Sequence, residues 1–254
     1  MSTLFSTPIV RLCFSKLEGL IIRLVDIVQY FPRRLLRIFR HFFLKIQTIF
    51  RSPRQILEVG QHLFWFTELF FYLLDLLGAG EVYETLADIV KFNTRPLTSS
   101  EAQAVREIFG DQLSIRRIRI DEYAFGGPKS HHFAYVSFYT INSWGALSKE
   151  TFVHEMMHIW QYVQMGSVYI PRALSAQFSE EGYDYGGLSK LVKAVQSGKG
   201  LHDFNLEQQG DIIADYFRIK EGHHPRWSLS NQEDLWVFEE LLTDLKVGEK
   251  AVAT

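Results

Sequence analysis

Phe152–Gln161 reads FVHEMMHIWQ: two histidines four residues apart, with a glutamate directly after the first. On a helix, residues four apart lie about 40° from each other around the axis, so His154 and His158 project from one face. Two neutral imidazoles placed this way can hold one Zn2+ through their ring nitrogens. Glu155 lies about 100° round, off that face but within reach of a water beside the metal, where a carboxylate can take up a proton. The motif alone is weak, because chance supplies H-E-x-x-H in roughly one chain in a hundred of this length. An ordinary pair of helix histidines is the bland alternative. The setting favours the metal. Phe152, Val153, Met156, Met157, Ile159 and Trp160 make the rest of the segment apolar, and a carboxylate buried there without a partner is costly. Met156 and Met157 read as packing residues.

A catalytic zinc takes three protein ligands and keeps one position open. The compact H-E-x-x-H-x-x-G-x-x-H arrangement fails here, since Gln161 stands at its glycine. The third ligand must come from further along the chain. NLEQQGDIIADYF, residues 205–217, supplies Glu207 and Asp211, also four apart on an expected helix. Glu207 can ligate the metal while Asp211 accepts the second N–H of a ligating histidine and fixes its tautomer. Asp215 on the same stripe is a weaker candidate, and His202 competes for the third position. A solvated acidic helix face is the alternative without a metal.

Outward from this core, Thr98 and Glu101 form a capping box for a helix beginning SEAQAVREIFG. LSIRRIRIDEYAF alternates enough for a strand near 114–121, and FAYVSFYTIN, 133–142, reads as a second strand. Ser148 caps the motif helix, which is expected to end at Gly166 and give way to a loop rich in Tyr and Gly. LSKLVKAVQ and 205–220 read as helices. Ser230 with Glu233 is expected to cap the last helix, DLWVFEELLTDL. The paired histidines His131-His132 and His223-His224 read as loop residues.

Residues 1–92 have a different texture. Two helices split at Pro32 are expected over residues 17–50, with Leu35, Ile38, Phe42 and Ile46 at helical spacing and basic residues interleaved. LFWFTELFFYLLDLL, 63–77, is very apolar but short of a membrane span and interrupted by Glu68 and Asp75. A shorter amphipathic helix, 81–92, follows Gly78-Ala79-Gly80. The whole chain has 254 residues and a formal charge of −2, but residues 1–54 carry ten basic residues against Glu18 and Asp26. That segment is expected to dock on the acidic remainder or, as basic amphipathic helices over 11–54, on an anionic membrane surface. Nucleic acid is disfavoured, because no binding module is recognisable.

The single cysteine, Cys13, excludes a disulfide framework and a cysteine-based metal site. Charges at Arg11, Lys16 and Glu18 interrupt the N-terminal apolar run, so no signal peptide is read. A cytoplasmic chain, peripheral at a membrane or exported by a signal-independent route, is the expectation.

FVHEMMHIWQ followed some fifty residues later by FNLEQQGDIIADYF resembles the gluzincin group of zinc metallopeptidases. More narrowly it is similar to bacterial zincin-like domains of Vgr-related and polymorphic-toxin-associated proteins, and RPLTSSEAQAVREIFGDQLSIRRIRI looks like the start of that domain. The resemblance covers about residues 95–220. It implies His154, His158 and Glu207 as zinc ligands, Glu155 as general base and Asp211 as hydrogen-bond partner of a ligand. A zincin also needs a strand beside the motif helix to pair with an extended peptide, and a group to stabilise the oxyanion. FAYVSFYTIN is the candidate strand; Tyr183, Tyr185 and His202 are the candidate stabilisers. The resulting expectation is an α+β, mainly α chain with a helical region, 1–92, before a zincin-like domain, 93–254. Its expected activity is zinc-dependent hydrolysis of a peptide or protein. The rivals are a non-catalytic module of a secretion or toxin assembly, and a membrane-surface protein acting through its N-terminal helices.

Overall fold

The computed structural model describes residues 8–51, 59–91, 93–127, 129–130, 133–243 and 245. The architecture is mainly helical with one small mixed sheet. The chain divides into two compact units, Met1–Phe92 with Gly166–Val168 and Asn93–Met165 with Tyr169–Thr254.

The first unit is built from α1 (Pro8–Arg51), α2 (Val59–Leu76) and α3 (Ala79–Val90). The expected break at Pro32 does not occur: α1 runs through it as one helix of 44 residues. An internal proline removes one backbone hydrogen bond and crowds the preceding turn, at about 3 kcal/mol. Here both sides of the proline are tied to the same partner helix. Lys16 and Arg23 upstream, and Arg34 downstream, all pair with acids of α3. Gly78, at φ 70, makes the left-handed turn between α2 and α3.

The second unit opens with α4 (Ser99–Phe109), whose Thr98–Glu101 capping box forms as its spacing predicts. The sheet has strand order β1-β3-β2. β1 (Arg119–Asp121) pairs parallel to β3 (Thr140–Ser143), and β2 (Ala134–Ser137) pairs antiparallel to β3. Two strand expectations are corrected. Only the end of the 114–121 stretch is strand. FAYVSFYTIN is a tight hairpin, turning at Phe138-Tyr139 with Phe138 in the left-handed region at φ 58. The reversal puts a β-branched residue of each strand, Val136 and Ile141, side by side on the hydrophobic cluster.

Helix α5 (Lys149–Met165) carries FVHEMMHIWQ and is buried without interruption from Phe152 to Tyr162. The Ser148 hydroxyl accepts from the Thr151 N–H at 3.2 Å, capping its first turn. Beyond Gly166 the first part of the expected loop is instead α6 (Tyr169–Gln177), and the Tyr- and Gly-bearing stretch 178–186 is the loop. Pro171 falls in its first turn, where a missing N–H costs nothing. Next come α7 (Gly187–Gln196), α8 (Leu206–Lys220) and α9 (Leu235–Leu241). The expected Ser230–Glu233 cap of the last helix does not form: Asn231 and Asp234 instead cap a short 3-10 turn, Gln232–Asp234, that leads into α9. Asn231 receives the Glu233 N–H at 2.7 Å, whereas Ser230 is engaged with Ser228. Met156, Met157 and Ile159 of α5 join Ile212, Ile141, Ile118 and Phe238 in one core. The His131-His132 pair lies outside the described residues.

Candidate metal centre

Helices α5 and α8 carry the site. Asn205 caps α8: its side chain accepts from the Gln208 N–H at 2.9 Å, and the Gln208 side chain accepts from the Asn205 N–H at 3.1 Å. This reciprocal cap starts the helix so that Glu207 falls in its first turn, where the helix dipole favours a carboxylate. Gly210, one turn on, lets α8 close onto α5. A Cβ there would lie 2.6 Å from Cε1 of His154.

The Oε2 of Glu207 lies 3.4 Å from Nε2 of His154 and 3.5 Å from Nε2 of His158. All three side chains are buried, and one donor atom from each lies within 4.8 Å of the others. Two ligands at about 2 Å from one cation can be at most about 4 Å apart, and the two Glu207–imidazole distances of 3.4 and 3.5 Å meet that limit. Two imidazole nitrogens and one carboxylate oxygen also make a donor set suited to zinc.

Both Nε2 atoms are free to ligate because both Nδ1 atoms are engaged elsewhere. Nδ1 of His154 is 2.8 Å from Oδ1 of Asp211. A carboxylate can only accept, so that nitrogen carries the proton. Nδ1 of His158 is 2.8 Å from Oε1 of Gln161. The Gln161 amide cannot be reversed, since its Nε2 donates to the Leu206 carbonyl at 3.0 Å. It donates as well to Gln209 Oε1 at 3.0 Å, and Gln209 Nε2 donates to the Phe204 carbonyl at 2.8 Å. Backbone carbonyls thus fix the tautomer of His158 through two glutamines.

Burial works against charge on both imidazoles, yet the neighbouring carboxylates win. Hydrogen bonds to Asp211 and Glu207 push His154 up to about 10, and Glu207 raises His158 as well. Burial likewise opposes ionised Glu207, but the two histidines pull it down to about 2. The pocket therefore favours a positive charge between these three groups. Glu155 behaves differently. Burial drives its carboxyl above the ordinary range, partly offset by His158 and His154. Its Oε2 is buried without a hydrogen-bond partner.

Of the three expected stabilisers, Tyr183 is at the cluster, its ring centroid 5.9 Å from that of His154. Tyr185 is fully buried and its hydroxyl donates to Asp215 at 2.7 Å. His202 is exposed, next to Asp203. Asp215, the weaker ligand candidate, is instead a structural anchor. It accepts from the Arg226 and Trp227 N–H groups at 2.7 and 3.0 Å, and from Arg218 and Tyr185. This anchoring brings the Trp227 indole N–H to Oδ2 of Asp211. Trp227, Gln161, Gly210 and Tyr169 carry no metal signature in the sequence. Tyr169 stands with its ring 6.3 Å from His158 and its hydroxyl on the Val136 carbonyl at 2.9 Å.

No protein-family model matches the chain, and no solved structure matches it. An alignment of 138 positions that covers 50% of this chain shows 30% identity to the type VI secretion system spike protein VgrG2b of Pseudomonas aeruginosa. The match spans 13% of that protein's length, so the likeness is to one part of a much longer chain.

Proposed function

We propose that the second unit is a zinc-dependent peptide hydrolase. The observation that carries this reading is the placement of the Glu207 carboxylate, 3.4 and 3.5 Å from the two imidazole Nε2 atoms. His154, His158 and Glu207 hold the metal, and the proton on each Nδ1 keeps each Nε2 lone pair directed at it. A bound zinc supplies Lewis-acid chemistry, acidifying water and polarising a carbonyl. Glu155, adjacent to His154 and with a raised proton affinity, takes the proton from the attacking water and passes it to the leaving amine. Tyr183, whose ring lies near that of His154, donates its hydroxyl to the developing oxyanion. Strand β2, paired on one side with β3, offers its other edge to an extended substrate, which gains backbone hydrogen bonds there.

The likeness to part of a spike protein supports a second reading, a metal-ordered module that acts by contact within a secretion assembly. One experiment separates the two. The zinc-loaded chain, incubated with a proteome-derived peptide library, is read by mass spectrometry beside Glu155→Gln. The hydrolase reading expects cleavage that the variant loses by at least about a hundredfold while keeping its zinc. Full zinc occupancy with no cleavage by either protein supports the second reading.

A further inference from the structure

The first unit is inverted relative to a water-soluble helix cluster. The buried residues of α3 are Gly80, Glu81, Glu84 and Asp88, with no apolar side chain among them. Along α2, Glu68 and Asp75 are the buried polar positions. Every acidic residue of both helices is therefore turned inward, and neither helix presents an exposed charge among the described residues. Outward instead point Phe66 and Phe70 of α2, Leu86 and Ile89 of α3, and Phe39 and Phe43 of α1, each more than half exposed.

The inward acids meet α1 in an antiparallel ladder. Lys16 and Arg23 reach Asp88 at 3.0 and 2.9 Å, and Arg34 pairs with Glu81. Arg37 Nη1 lies 3.9 Å from Asp75, and His41 Nδ1 lies 3.7 Å from Glu68. In water this arrangement loses twice: charges are desolvated inside while large apolar side chains stay wet. In hydrocarbon the preference reverses, because ionisable groups must pair inward and apolar groups face the solvent. A protein partner accounts for an apolar stripe on one face. It does not account for two helices, α2 and α3, that direct every acid at α1 while large apolar side chains of all three helices stay exposed.

We propose that the first unit is a lipid-inserted module, with α2 and α3 in the hydrocarbon of a bilayer. Among the described residues no single helix is long and apolar enough to cross a membrane, but α2 and α3 together, bent by 64°, match a broken span. Among the described residues, the exposed charges of the unit, Glu18, Arg33 and Arg51, are all on α1, which places α1 against the headgroups. Attachment then rests on apolar burial and does not need anionic lipid. This differs from docking through basic side chains, since Arg23 and Arg34 are already engaged by acids of α3.

The test is flotation of the full chain with vesicles of phosphatidylcholine alone, and of phosphatidylcholine with phosphatidylglycerol. The proposal expects flotation with both, retained after high-salt and alkaline carbonate washes. Combined Phe66→Ala and Phe70→Ala substitution should lower partition by at least about a hundredfold, from the loss of two buried aromatic side chains. Zinc content should not change, which separates this outcome from failure of the metal site. A dye on Leu86→Cys, with the native Cys13→Ser, reports the environment directly, and lipid-borne quenchers should extinguish it. Binding that requires the anionic lipid and washes off in salt overturns the proposal. So does a lipid-free chain that fails to float and forms a defined oligomer, since a second copy then covers the apolar surface.

Discussion

Asp211 bridges His154 and Trp227, one carboxylate oxygen 2.8 Å from the imidazole Nδ1 and the other accepting the indole N–H. The indole is there because Asp215, one turn further along α8, holds the backbone of Arg226 and Trp227. His154, on α5, is thus oriented by a chain of interactions that starts at a fully buried acid outside the candidate metal cluster. Asp211→Asn keeps the shape but removes the charge that holds the Nδ1 proton. The expected result is a zinc affinity lower by about tenfold to a hundredfold, measured by competition with a chelating dye, in a chain that still folds.

Asp215→Ala acts further out. It leaves the Tyr185 hydroxyl, the Arg218 guanidinium and two backbone N–H groups without their acceptor. Unfolding by denaturant should show a loss of about 3–5 kcal/mol, as for one partner removed from a buried charge network. Tyr185→Phe should cost about 1 kcal/mol.

Gln161 holds His158 as Asp211 holds His154, but through an amide. Gln161→Leu leaves the Nδ1 proton, the Leu206 carbonyl and Gln209 partly unsatisfied. Weaker zinc binding and a stability loss of about 1–3 kcal/mol are expected, with calorimetry reading both. Unchanged affinity would mean that the ring is held by packing alone.

Gly210→Ala places a methyl group 2.6 Å from the His154 ring. Either α8 retreats from α5 or the imidazole turns away from Glu207. Zinc affinity should fall, with a destabilisation of about 1–3 kcal/mol. A Gly210→Ala protein with wild-type affinity would show that the helices separate without cost.

The pH dependence has a definite sign. Stripped of metal, the protein holds His154 raised from 6.5 to about 10, so its protonation stabilises the fold below about 6.5 and that contribution is lost as pH rises towards 10. Glu207 is lowered from 4.5 to about 2; its contribution is present above about 4.5 and is lost as pH falls towards 2. The stripped chain should therefore melt highest between about 4.5 and 6.5 as far as these two groups decide it. Zinc and the proton compete for the same nitrogen. The rise in melting temperature on adding zinc should consequently grow from pH 6.5 upward.

What is legible in the sequence follows the range of each interaction. The His154–His158 pair and the Thr98 and Asn205 helix starts depend on spacing within a turn or two of helix, so spacing suffices. Glu207 is reachable from helical periodicity combined with what a zinc site lacks. Pro32 misleads because the ion pairs that tie both sides of it to α3 span 47 to 72 residues. The hairpin in 133–142 is hidden because its turn uses Phe138, a residue type that rarely adopts positive φ. Gln161, Gly210 and Trp227 act between elements distant in sequence, and nothing in their local sequence marks them. The inversion of the first unit is invisible for a related reason. Periodicity reveals two faces of a helix, but not which of them is buried.

The central claim is that two imidazoles of α5 and one carboxylate of α8 share a single cation. Metal content per folded chain, measured by atomic emission on wild type, His154→Ala, His158→Ala and Glu207→Ala after equilibration with limiting zinc, tests it most directly. The account predicts one zinc per wild-type chain and its loss in all three variants. A Glu207→Ala chain that keeps wild-type zinc content and affinity would contradict it.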